Sequence, residues 1–159
     1  MFEIGVASTE DAETILALQK LAYRSEAELY KDWSIPPLTQ TIESLLGEFT
    51  SMTVLKATLN DRLVGSVRAR RNNDTCAIGR LIVHPEHQGQ GIGTKILRRI
   101  EEHFHDVSKY QLFTGTKSEA NIRLYQRHGY TIARTQQLTP TITVVILEKQ
   151  NQPLTRRCS

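Results

Sequence analysis

A chain of 159 residues that is 39% hydrophobic and 23% charged can bury one ordinary core, and a single domain over residues 1–149 with a polar tail over residues 150–159 is expected. The net charge of +3 is dispersed, with no basic stretch interleaved with aromatics, which argues against a nucleic-acid partner. No apolar run reaches a membrane span, and Met1-Phe2-Glu3-Ile4 lacks a basic, apolar leader, so no membrane partner and a cytoplasmic location are expected. Cys76 falls in a strand pattern and Cys158 in the tail, which reads as a core thiol and a stray thiol, not as a disulfide framework.

Residues 2–6 alternate as a short strand, and Ser8-Thr9-Glu10-Asp11 resembles a capping box opening a helix that reaches about Tyr23. Ile15, Leu18 and Ala22 form its buried stripe. Residues 25–37 mix acids, aromatics and Pro36-Pro37, which suits an ordered loop or a broken helix. Thr39 or Thr41 caps a second helix, where Ile42, Leu45, Leu46 and Phe49 follow i, i+3, i+4, i+7 spacing. Strands at 52–59 and 63–70 join across Asn60-Asp61-Arg62, and a turn at residues 72–74 leads into a strand at 75–83. A helix over 94–104, a strand at 111–114, a helix around Asn121 and Tyr125, and strands at 131–138 and 141–147 follow. Helices before and after strands, beside a meander, imply a mixed sheet covered on both faces.

The chemistry concentrates after the strand ending Leu81-Ile82-Val83-His84-Pro85, where Gln88-Gly89-Gln90-Gly91-Ile92-Gly93 feeds directly into a helix. Clustered glycines at a helix start aim several backbone N–H groups at one point, which the helix dipole makes electropositive; such a cradle suits phosphate. Gly93 is followed by Thr94-Lys95, not Lys-Ser/Thr, so a nucleoside triphosphate loop is disfavoured. The evenly spaced Gly89, Gly91 and Gly93, with no acid ending the next strand at Thr114-Gly115-Thr116, disfavour a dinucleotide. Gln88-x-x-Gly91-x-Gly93 after Val-His-Pro resembles the acetyl-CoA pyrophosphate loop of the GNAT superfamily of N-acetyltransferases. Downstream, Asn121-Ile122-Arg123-Leu124-Tyr125 closed by Gly129-Tyr130 is similar to that family's second signature, in the same order and with one strand between.

The resemblance implies an α+β fold: a mostly antiparallel mixed sheet of about seven strands, splayed in the middle, with about four helices on its two faces. It implies acetyl-CoA as co-substrate, with no metal, and a small-molecule amine as acceptor. Leu81, Ile82 and Val83 would contact the pantetheine and acetyl through their backbone. Gln88, Gly89, Gln90, Gly91, Ile92, Gly93 and Thr94 would hold the pyrophosphate, and Lys95, Arg98 or Arg99 the 3′-phosphate. Tyr125 matches the family's tyrosine near the CoA sulfur and is expected as the proton donor; Asn121 would hydrogen-bond the pantetheine or a bridging water. Dimers are common in the family, which leaves a homodimer open.

Where many family members carry a carboxylate entering the loop, this chain reads Ala77-Ile78-Gly79-Arg80. Candidate bases are therefore Glu26, Glu28, Asp32, His84 or a water chain, and the acids of residues 25–37 favour a cationic acceptor such as a polyamine, amino sugar or lysine-like amine. His84-Pro85-Glu86-His87 lacks the helical i, i+4 pairing of a zinc site, and no Gly-x-Ser-x-Gly elbow is present. Besides small-molecule transfer, a protein or peptide amino group as acceptor and a non-catalytic acyl-CoA-binding module stay open. Tyr125 and Asn121 favour the enzyme.

Overall fold

A computed structural model describes residues 1–151. Asn60 and Asp61 are both left-handed (φ 51° and 67°) and make the two-residue turn between β2 (Thr53–Leu59) and β3 (Arg62–Asn72), so that Leu59 faces Arg62. Left-handed turns match the twist of the strands they join. Asn73 (φ 55°) turns the chain again into β4 (Thr75–Val83), and β1 (Phe2–Val6) pairs antiparallel with β2. With β5 (Lys109–Gly115), β6 (Thr131–Gln137) and β7 (Thr143–Gln150), the sheet has seven strands in the order β1-β2-β3-β4-β5-β7-β6.

Only β4 and β5 run parallel, and they pair over three positions alone: Thr75 with Lys109, Cys76 with Tyr110, Ala77 with Gln111. Beyond Ala77 the two strands part. Ile82 and Val83 pair with Ser66 and Gly65 on β3, and their other edge has no strand partner. The splayed seven-stranded mixed sheet is as expected.

After a 3-10 turn at Thr9–Asp11, four α-helical segments precede β2: α1 (Ala12–Ala22), α2 (Arg24–Tyr30), the single turn α3 (Pro36–Thr39), and α4 (Ile42–Ser51). Residues 25–37 thus take the broken-helix form, with the break at Lys31, left-handed at φ 51°. Ser8 N donates to Asp11 Oδ2 at 2.9 Å ahead of α1, and Thr41 Oγ1 accepts from Ser44 N at 3.1 Å, which makes Thr41 the cap of α4. Ile15, Leu16 and Leu45 pack with Val54 as one core, whereas Ala22 is only half-buried. A larger core lies under α5 (Ile92–His103), whose Ile92, Ile96, Leu97 and Ile100 are buried with Val67, Ile78, Leu112 and Tyr130. A Cβ at Gly65 would lie 2.5 Å from Ile96 Cδ1, so glycine there lets α5 lie close on β3. The last helix, α6 (Glu119–Arg127), adds Tyr125 to this core.

Several boundaries differ from expectation, β3 and β5 being longer than expected at both ends, and two of the differences have a clear cause. α5 starts at Ile92, two residues early, because Gly91 takes the left-handed conformation (φ 82°) at its N-cap. β7 runs from Thr143 to Gln150, not over 141–147, since the turn before it is widened by Leu138 N donating to Ile142 O; Gln150 is therefore strand, not tail. Cys76 is buried, while Cys158 and the rest of the expected tail from residue 152 lie outside the described residues. Among the described residues no helix is long and apolar enough to cross a membrane.

Candidate active site

The loop leaving β4 is built around two left-handed glycines, Gly89 (φ 79°) and Gly91 (φ 82°). A Cβ added at either would meet no heavy atom within 4 Å, so both face open space that a bound oxygen can enter. Gln88 Nε2 donates to Val83 O at 3.2 Å, tying the loop back to its strand. The first helical bond of α5 runs from Lys95 N to Gly91 O, which leaves the N–H groups of Ile92, Gly93 and Thr94 pointing outward without an intrahelical acceptor. Gln90 is exposed on the loop between the glycines. These residues fit a pyrophosphate: several N–H donors, a helix N-terminus and no side chain in the way.

Thr94 has a partner that the sequence reading missed. Its Oγ1 lies 3.1 Å from His128 Nε2, at the C-terminal end of α6. Burial, followed by the nearby Arg98, holds His128 below its ordinary range, so the imidazole is neutral at neutral pH. Lys95, Arg98 and Arg99 instead line a shallow groove with Phe2 and Ile4, Lys95 Nζ lying 5.1 Å from the Phe2 ring centroid.

Where β4 and β5 part, a cavity of about 190 Å³ opens. Its floor comes from residues 78–81 of β4 and 112–115 of β5; Asn121 and Tyr125 of α6 form one wall; α2 and α3 roof it with Glu26, Tyr30, Pro36 and Pro37. The roof is fastened tightly. Lys117 N donates to the Tyr30 hydroxyl at 2.8 Å, Ser118 Oγ donates to Glu26 Oε1 at 2.6 Å, and Thr141 Oγ1 donates to Asp32 Oδ2 at 2.6 Å. Tyr30 also rests on Gly115, where an added Cβ would lie 1.9 Å from its hydroxyl oxygen.

Tyr125 is 6% exposed, and its hydroxyl makes no hydrogen bond among the described residues. Burial, with smaller contributions from Tyr23 and Glu26, pushes its phenol well above the ordinary range. Asn121 Nδ2 donates to Thr114 Oγ1 at 3.4 Å, across the mouth between α6 and β5.

Of the four candidate bases, the structure brings only Glu26 to the cavity. Glu28 is exposed on α2, Asp32 is held by Ser34 and Thr141, and His84 Nδ1 accepts from Glu86 N as a cap of the turn before the loop. The cluster of acids inferred from residues 25–37 therefore reduces to one carboxylate.

Sequence reasoning also missed a buried cation on the sheet. Arg68 is 1% exposed; its Nε donates to Glu48 Oε1 at 2.7 Å and its Nη2 to Gln19 and Gln40 at 2.8 and 2.7 Å, while Nη1 has no partner. Arg80 lines the cavity from β4, at a place where the sequence pattern marks only the lack of a carboxylate. The signal was available: it is the one charge in the apolar run from Ala77 to Val83.

Residues 14–130 match the family model described as acetyltransferase (GNAT) family. The chain is 28% identical over 124 residues to UPF0157 protein YqkA of Bacillus subtilis, covering 78% of this chain and 36% of that protein. It is 36% identical over 52 residues to the L-amino acid N-acyltransferase MnaT of Escherichia coli, covering 31% of this chain and 30% of that protein. The chain thus spans about a third of the length of the curated relatives it matches. Among solved structures, the PaiA N-acetyltransferase of Thermoplasma acidophilum, in complex with coenzyme A, superposes with a TM-score of 0.78 at 19% identity, covering 94% of this chain and 99% of that one.

Proposed function

The chain belongs to the GNAT family of acetyltransferases, and on that premise we propose that it moves the acetyl group of acetyl-CoA directly onto a primary amine of a small molecule. One observation carries the reading: the cavity, the unpaired edge of β4 and the glycine cradle follow one another along a single strand and the loop it feeds.

Acetyl-CoA supplies the acetyl group as a thioester, whose sulfur leaves as a thiolate when the amine nitrogen bonds to the carbonyl carbon. The N–H groups of Ile92, Gly93 and Thr94, with the loop of Gln88, Gly89, Gln90 and Gly91, hold the pyrophosphate charge. The backbone edge of Leu81, Ile82 and Val83 that no strand covers orients the pantetheine arm, and Asn121 hydrogen-bonds that arm or a bridging water. Fixing both reactants in line is the larger part of the catalysis.

Tyr125 acts at the sulfur. A thiol has a pKa of about 8.5, and the buried phenol of Tyr125 lies far above that, so its proton stays on the phenol and its hydroxyl stabilises the thiolate as a hydrogen-bond donor. Full proton donation to the thiolate is uphill even for an ordinary phenol, at about 10, and burial adds to that. Glu26, positioned by Ser118, accepts the proton released by the amine nitrogen through a water. The roofed cavity favours a small acceptor over a folded protein's surface.

Thiol release from acetyl-CoA, measured across polyamines, amino sugars, amino acids and peptide N-termini with acetyl-CoA binding in parallel, tests this. Amine-dependent release supports the transferase. Tight binding with no release on any acceptor supports the non-catalytic module, and release only with peptides moves the acceptor to protein amino groups.

A further inference from the structure

Arg80 stands where the geometry of β4 breaks. Arg68 faces Gly79 across the β3–β4 ladder while Ser66 faces Ile82, so β4 carries one extra residue there, and Arg80 takes the left-handed conformation at φ 50°. A bulge of this kind re-aims a side chain out of the ladder. A left-handed arginine is strained, and the strain falls on a residue lining the acceptor cavity. Its guanidinium lies 5.9 Å from the centroid of the Tyr23 ring, which also lines the cavity.

Arg80 makes no salt bridge among the described residues. The carboxylate beside this part of the sheet, Glu48, is engaged by Arg68, whose Nη1 is itself buried without a partner. Arg80 lies near enough to Arg68 to repel it, and of the two only Arg68 has a carboxylate partner among the described residues. Opposite them on the roof is Glu26, a single carboxylate held by Ser118. The Tyr23 phenol, raised first by burial, is drawn down by Arg80 and up by Glu26, which puts both charges beside it. The cavity presents a cation on its floor and an anion on its roof. A polyamine would meet the Arg80 charge unfavourably, while a molecule carrying both an amine and a carboxylate complements both walls.

Building on the transferase reading above, we propose that Arg80, seated on Tyr23, is the subsite for a carboxylate of the acceptor, which makes the acceptor class an aminocarboxylate whose amine lies toward Glu26. A planar guanidinium accommodates a carboxylate in two parallel hydrogen bonds, and the partly buried setting strengthens them.

Matched acceptors test the subsite: phenylalanine, phenylalanine amide and phenethylamine, compared at equal concentrations of neutral amine. The wild type is expected to prefer the carboxylate over both neutral analogues by roughly thirtyfold in kcat/KM. Arg80→Gln is expected to bring the carboxylate down to the level of the analogues, chiefly through KM, and Arg80→Lys to retain part of the preference; thermal melting confirms that both variants fold. Equal loss on all three acceptors overturns the proposal, because Arg80 then acts on the reacting acetyl oxygen and not on the acceptor, and so does a wild-type preference for phenethylamine. If no acceptor releases thiol, the transferase reading fails separately, and calorimetric titration of phenylalanine into the protein with CoA present still decides the subsite. Binding that is lost in Arg80→Gln supports it; binding equal in both, or absent in the wild type, contradicts it.

Discussion

Tyr125 and Arg80 meet the same cavity under opposite constraints. Tyr125 lines the cavity and is nearly buried, and burial raises its phenol, so the protonated form persists to higher pH than in a free tyrosine. In the proposed role the useful form is the protonated one, so no alkaline limb from Tyr125 is expected in the kcat profile below about pH 10. A kcat that falls between pH 8 and 10 with folding intact, and no longer falls there in Tyr125→Phe, contradicts this. Tyr125→Phe itself is expected to lower kcat by about a hundredfold while CoA affinity is kept, and unchanged turnover removes the role. His128 is the other residue whose ionisation matters locally. Held neutral by burial and Arg98, its ring keeps an uncharged contact to Thr94 beside the cradle.

Elements bring these residues together through two glycines with different physics. Gly91 is needed for its backbone: it is left-handed, and a side chain there points into open space. Gly91→Val is expected to cost about 1–2 kcal/mol of stability and to weaken CoA binding at least tenfold, read by calorimetric titration, because the side chain occupies the place of the phosphate oxygens. Affinity retained in the folded variant sinks the cradle assignment. Gly115 is needed for space, since Tyr30 of α2 rests directly on it. Gly115→Ala pushes that ring aside and lifts the roof; a stability loss of about 1–3 kcal/mol is expected with a raised acceptor KM and unchanged CoA affinity. A variant that loses CoA affinity and acceptor affinity alike contradicts the division between cradle and roof.

At the scale of the whole molecule, the order of elements and the cradle were legible because both are written in local patterns: the turn residues at Asn60-Asp61 and Asn73, the apolar stripe of α5, and the spaced glycines. The pairing of Thr94 with His128, 34 positions apart, was not, because only the packing of α6 beside α5 makes it. Nor was the selection of Glu26 from the acids of residues 25–37, which depends on the break at Lys31 and on Ser118, 92 positions away between β5 and α6, bonding to it. Arg68 was silent because a buried arginine in a strand has no periodic signature; its partners Gln19, Gln40 and Glu48 come from two helices and the segment between them. The central claim, direct transfer in the gap between β4 and β5, is tested most directly by a single turnover with protein in excess over acetyl-CoA, quenched in time and analysed for free thiol, acetylated amine and protein mass. Thiol and acetylated amine appearing together, only when the amine is present and with no mass added to the protein, is the predicted result. Thiol released without amine onto an acetylated protein, or no release with any amine, contradicts it.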